Sequence, residues 1–182
     1  MRRLRGFNAV ELMIVLGVLA VLAGAAIPSL APITGRLAFR RAAAELYGGI
    51  EFARSSAIAR GGRVMIAPDE PEQRDWARGW VIFVDRDGDG LPGAGEEILQ
   101  RHGPLPARVR AQSAFSQQGV AYIAYNGAGR SCTFASSTAA RWGSVTLARD
   151  GEMRRIRIAM LGRARLCDPQ RDASCGVPAD DD

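Results

Sequence analysis

Three groups of charged residues carry whatever chemistry this sequence could perform. Asp85, Asp87, Asp89 and Glu96 follow the spacing D-x-D-x-D-G-x5-E. Such a loop can gather carboxylates and a backbone carbonyl on one Ca²⁺, with Gly90 allowing the sharp turn. Arg155, Arg157, Arg163 and Arg165 form two alternating runs near the C-terminus, and rigid guanidinium forks at that spacing can grip phosphate. Glu11 stands at the head of an otherwise uncharged run, Leu12–Ile27. A carboxylate in lipid costs about 2.5–3.5 kcal/mol on insertion scales, so Glu11 asks for a cationic partner.

What each group can do depends on the elements that hold it. Trp80–Val84 and Glu97–Arg101, on either side of the acidic loop, read as strands rather than helices, and Pro92-Gly93 interrupts the position where a calcium loop begins its β segment. The loop therefore reads as an acidic hairpin tip, with no metal and no cofactor assigned. On a strand, Arg163 and Arg165 point the same way, roughly 6.6 Å apart. Arg155 and Arg157 alternate with Ile156 and Ile158, so their face is basic too. The turn decides whether the pairs meet. A two-residue turn at Leu161-Gly162 sets Arg165 opposite Ile158 and forces a charge onto the apolar face, whereas a three-residue turn with a bulge sets Arg165 opposite Arg157. Charges on such a strand also serve simply to discourage edge pairing.

Catalysis finds little support, and the sequence does not read as an enzyme. His102 is the one histidine, beside Gly103-Pro104 in a loop, and no Ser or Cys has the surroundings of an activated nucleophile. Three cysteines, Cys132, Cys167 and Cys175, fit one disulfide and one leftover thiol. Cys167–Cys175 would close a short terminal loop and Cys132–Cys167 would tie two strands; the sequence does not choose. Without a CxxC or a His/Cys cluster, zinc is not indicated. All 24 basic residues are Arg and the net charge is +5, three of it from Arg2, Arg3 and Arg5, so the side chains beyond these carry +2. An Ala-, Gly- and Arg-rich chain is also what a GC-rich genome encodes, so only local Arg placement argues for a ligand.

The elements follow from periodicity. The apolar run is long enough to span a bilayer as a helix. Beyond Pro28, Phe39, Ala43, Leu46, Ile50, Ala53 and Ala57 recur at steps of four and three, with Arg40, Arg41, Glu45, Glu51, Arg54 and Arg60 on the other faces. This predicts one long helix, loosened or kinked at Pro28 and Pro32 and ended near Gly61-Gly62. Strand-like runs follow at Arg63–Ile66, Trp80–Val84, Glu97–Arg101, Val109–Gln112, Ala121–Tyr125, Ser144–Ala148, Arg155–Met160 and Arg163–Cys167. The class is α+β, a long N-terminal helix on an antiparallel β-sheet or sandwich head.

A secretory signal with Ala23-Gly24-Ala25 as its cleavage site would explain the first residues, but Glu11 heads the apolar run and no polar break precedes Ile27-Pro28-Ser29-Leu30. The basic leader, Gly6, Phe7, Glu11 and Pro28 together resemble the type IV pilin leader and anchor. That resemblance implies cleavage by a prepilin peptidase between Gly6 and Phe7 and N-methylation of Phe7. It also implies an apolar helix that anchors the subunit in the inner membrane with its head in the periplasm before filament entry. Glu11 would find its cation at the Phe7 amine of a neighbouring subunit. Asn8-Ala9-Val10 departs mildly from the family's commoner residues.

The resemblance then narrows. Ala53-Arg54-Ser55-Ser56-Ala57-Ile58-Ala59-Arg60-Gly61 and Trp76-Ala77-Arg78-Gly79-Trp80-Val81-Ile82-Phe83-Val84-Asp85 are similar to segments of the GspH/FimT group of minor type IV pilins and pseudopilins. Gly162-Arg163-Ala164-Arg165 resembles the motif by which FimT-type minor pilins bind DNA in natural transformation, which adds Gly162 to Arg155, Arg157, Arg163 and Arg165 as DNA-binding candidates. The implied function is a minor pilin, in or at the tip of a pilus, binding double-stranded DNA without sequence preference. Its alternative is a type II secretion minor pseudopilin with protein contacts only. The implied organisation is a leader over 1–6, a transmembrane and filament-core helix over 7–34, an amphipathic helix over 35–62, a β-rich head over 63–176 and an acidic tail over 177–182.

Overall fold

The computed structural model describes residues 8–70, 75–93, 95–117, 119 and 121–176, the side chains of 23–32 excepted. Gly6, Phe7 and the leader, with the acidic tail 177–182, lie outside the described residues. Contacts divide the chain into two units, Met1–Ala38 and Phe39–Asp182.

Helix α1 runs from Ala9 to Arg60. The Leu12 amide donates to the Asn8 carbonyl at 3.1 Å, and Glu11 falls in the first turn, where the positive end of the helix dipole favours a carboxylate. The expected loosening at Pro28 and Pro32 does not interrupt the helical backbone. Termination is by two backbone bonds, Gly62 N–H to Ala57 O and Gly61 N–H to Ile58 O, both 3.2 Å. Gly61 supplies the left-handed φ of +61° that this C-terminal arrangement needs. In the first unit large apolar side chains stand exposed, Met13 at 74% and Val21 at 73%. Among the described residues no helix is long and apolar enough to cross a membrane. Ala9–Leu22, where the described side chains of the apolar run stop, covers only about 20 Å of a hydrocarbon layer of about 30 Å. Within the expected anchor over 7–34, the side chains of residues 23–32 lie outside those described.

The second unit is built on two antiparallel sheets. One has the order β3-β2-β1-β5-β6, from β1 (Val64–Pro68), β2 (Trp80–Val84), β3 (Glu97–His102), β5 (Ile123–Tyr125) and β6 (Ser131–Cys132). The other has the order β4-β7-β8-β9, from β4 (Arg110–Phe115), β7 (Gly143–Arg149), β8 (Glu152–Ile158) and β9 (Ala164–Cys167). The predicted helical stripe is buried throughout, and Ala42 joins it. It packs in one core with Val64, Ile66, Trp80 and Ile82 of the first sheet and Val145, Leu147, Ile156 and Ile158 of the second. Helix and sheet approach closely at Gly49, where a Cβ would come within 3.0 Å of Trp80 Nε1. A second cluster, including Met65, Val81, Phe83 and Tyr122, covers the other face of the first sheet. This is why β1 and β2 read as unbroken apolar runs: both faces are dry. The strands are shifted by up to three residues from the predicted runs, and β6, only two residues long, was too short to leave a period.

The second sheet alternates. Val145, Leu147, Ile156, Ile158 and Ala164 enter the core, so Ser144, Thr146, Arg155, Arg157 and Arg165 occupy the opposite, outer face.

Candidate nucleic-acid interface

The turn between β8 and β9 decides how the arginines meet. Register pairs Ile158 with Ala164 and Arg157 with Arg165, the arrangement that keeps Arg165 off the core face. Ala159 N–H donates to Arg163 O and Gly162 N–H to Ala159 O, each at 2.9 Å, closing a three-residue turn. Ser131 Oγ donates to the carbonyls of Ala159 and Met160 at 2.9 and 3.0 Å and ties the turn to β6. Gly162 has φ +86°, and a Cβ there would lie 2.0 Å from Gly129 O. Gly162 is buried, so its contribution is to let the turn pack, while Arg163 and Arg165 are exposed beside it.

The outer face is partly occupied by the chain's own end. Cys167 and Cys175 form a disulfide, which resolves the choice the sequence left open, and a short 3-10 turn spans Ala173–Gly176. Arg155 donates through Nε to Thr146 Oγ1 at 3.0 Å and through Nη1 to Cys175 O at 3.2 Å. Arg157 Nη1 donates to Ser174 O at 2.7 Å, and Arg165 Nη2 donates to Asp172 Oδ2 at 2.6 Å. Arg154, which the sequence reading passed over, donates to Asp168 Oδ2 at 2.7 Å. The Ser174 hydroxyl, and after it the Arg165 charge, holds the Asp172 carboxyl below its ordinary range. The alternation of Asp168 and Asp172 with the flanking cysteines was the available signal for this loop. Cys132 is free and buried, and burial pushes its thiol up to about 11.

The acidic constellation also forms. Ligand oxygens of Asp85, Asp87, Asp89 and Glu96 all lie within 4.8 Å of one another, and hard carboxylate oxygens at that spacing suit a divalent cation. Much of their bonding capacity is already used locally. Asp85 accepts from Arg63 Nη1 at 2.9 Å and from Gly88 N–H at 3.0 Å. Asp87 accepts from Asp89 N–H and Asp89 from Leu91 N–H. Glu96 accepts from the amides of Arg86 and Gly93. Burial, helped by the neighbouring Asp85 and Asp87 charges, raises the Glu96 carboxyl above its ordinary range. His102 stacks on Trp80 with ring centroids 3.8 Å apart, and its Nε2 lies 3.3 Å from Glu45 Oε2, a packing role joining β3 to α1. Glu11 is exposed.

A helix whose 39–57 stripe is covered by two antiparallel sheets is the arrangement of a pilin-like head. The family described as Type II transport protein GspH matches residues 42–162, and the chain belongs to that family. It is 32% identical over 164 residues to Pilin-like protein PilA1 of Thermus thermophilus, covering 89% of this chain and 97% of that protein. Its fold is shared with the type IV minor pilin FimU of Pseudomonas aeruginosa, at TM-score 0.56 and 20% identity over 76% of this chain and 95% of that one. The minor pseudopilin EpsH of the Vibrio cholerae type 2 secretion system shares it at TM-score 0.51 and 13% identity, over 71% of this chain and 96% of the other. The chain is thus a minor pilin or pseudopilin of the GspH/FimT/FimU group.

Proposed function

We propose that this subunit enters a type IV pilus as a minor pilin and binds double-stranded DNA without sequence preference, for DNA uptake. The observation that carries the reading is the pairing of Arg157 with Arg165 on the outer face, with exposed Arg163 at the adjoining turn. Guanidinium forks on one strand edge suit successive backbone phosphates and read no base. Prepilin peptidase cuts between Gly6 and Phe7 and methylates Phe7, the apolar helix holds the subunit in the inner membrane, and Glu11 pairs with a neighbour's Phe7 amine on assembly; these steps rest on the leader's resemblance. Other pilin subunits are the obligatory partners.

The test is a gel shift of the full chain in detergent with duplex DNA at two salt concentrations. Arg163→Gln with Arg165→Gln is expected to weaken binding on every sequence and to reduce the salt slope by about two. Binding that survives both substitutions, or that ignores salt, rejects the reading.

One observation favours a second reading, a type II secretion pseudopilin with protein contacts only: Arg155, Arg157 and Arg165 are engaged by the terminal loop. Crosslinking in cells separates the two by whether the partners recovered are pilus subunits or secretion pseudopilins.

A further inference from the structure

Beside the terminal loop the outer face opens into a cleft of about 290 Å³. Its lining includes the small residues Ala114 and Ser144, the aromatic residues Phe115 and Trp142, and Arg155 and Arg157. The disulfide-closed loop lines it as well, through Cys175. The charged groups are fixed before any ligand arrives. Arg155 is held by Thr146 and the Cys175 carbonyl, bonds that use two of its five N–H donors, and Arg157 is held by the Ser174 carbonyl. Phe115 turns its side chain to the core, where the Arg141 guanidinium lies 4.2 Å from its ring centroid, so Trp142 supplies the aromatic surface of the outer face.

From this combination we infer that the cleft binds a single unpaired nucleotide of a DNA strand, its base against Trp142 and its phosphate toward Arg155 and Arg157. The inference rests on the nucleic-acid reading above and extends it from duplex backbone to single strand. Three features carry it. The volume is that of one nucleotide-sized group, at the lower end of small-ligand clefts of about 300–1,000 Å³, so stacked base pairs do not fit and an unpaired base does. Aromatic surface beside fixed cations suits single strands, because every base has a face to stack while the guanidiniums follow the phosphate. Finally, ordering costs are low, since both guanidiniums are already immobilised. Duplex contacts at Arg163 and Arg165 and a strand-end contact in the cleft would lie on one sheet.

Tryptophan fluorescence of the full chain in detergent tests this directly. Of the chain's three tryptophans, Trp76 and Trp80 are 0% and 1% exposed, so a ligand that quenches emission reports Trp142. Short oligothymidylate is expected to quench saturably, whereas an abasic strand of equal length and charge is not. Trp142→Leu is expected to weaken oligothymidylate binding about ten-fold, from the loss of one stacking contact. Ala114→Leu, at an exposed position outside the core, is expected to abolish quenching while keeping the fold, so a misfolded Trp142 variant does not leave the question open. Equal binding of the abasic strand, or equal quenching by polyglutamate, overturns the inference. Salt-dependent duplex binding without quenching rejects the cleft and spares the duplex reading. Quenching without duplex binding rejects the duplex reading and spares the cleft, and silence from both probes rejects the two together.

Discussion

The acidic loop after β2 and the terminal loop after β9 put carboxylates to opposite uses. In the first, Asp87 and Asp89 accept amides only two residues away and Asp85 one three residues away, while Glu96 folds back on Arg86 and Gly93. From farther along the chain, Arg63 donates to Asp85. In the second, Asp168 and Asp172 also cap local amides, but each also holds an arginine of the neighbouring strands. The contrast appears in protonation. Burial and then crowding raise Glu96, and a hydroxyl and a cation lower Asp172. A carboxylate cluster with too few cations is an anionic concavity; one shared with arginines is a clasp. Spacing along the chain alone does not tell them apart.

The contrast can be broken most severely at Asp85, whose side chain is fully buried against an Arg63 that is 20% exposed. Asp85→Ala leaves that cation uncompensated and is expected to cost about 3 kcal/mol in urea unfolding of the full chain. Next, Cys167→Ser with Cys175→Ser opens the clasp. Restoring the conformational freedom of a loop closed across a separation of 8 residues is expected to cost about 2 kcal/mol, with faster amide exchange confined to the terminal segment. Smaller again is Asp172→Asn. Because the folded carboxyl titrates below its ordinary value, its stabilisation is present above that value and lost as pH falls through the lowered one. The variant should therefore remove part of the acid-side loss of stability.

The smallest effect belongs to Glu96, and its sign is opposite. A raised carboxyl favours the protonated form in the folded chain, so stability declines as pH rises from the ordinary value of 4.5 toward the raised one. Glu96→Gln should flatten the profile in that window, measured by thermal melting in chelator-treated protein. An unchanged slope in the variant would mean that another group carries it.

Much of this architecture was legible along the chain because it is set by local periods. The 39–57 stripe repeats at helical spacing, and every residue it names is buried. Gly61-Gly62 stops the helix because only glycine takes the left-handed turn without strain. The strands that pack on one face show alternation, and those buried on both faces show apolar runs. The expectation of four outward arginines was half legible: alternation gives the face, and the turn after β8 gives the register, but nothing in the run from Arg155 to Arg165 names the residues that would come to rest upon it.

The helix with its buried stripe, the succession of strands, the acidic loop's ability to close on itself and the family to which the chain belongs can all be read along the chain, because they rest on residues close together in it. It took the folded head to set Arg157 opposite Arg165, to join Cys167 to Cys175 with Cys132 buried, to lay the terminal loop on the arginines, and to bring Trp142 to a cleft beside them. Those outcomes depend on contacts between distant segments, whose closure is settled by packing of the whole head and leaves no periodic trace in the residues themselves.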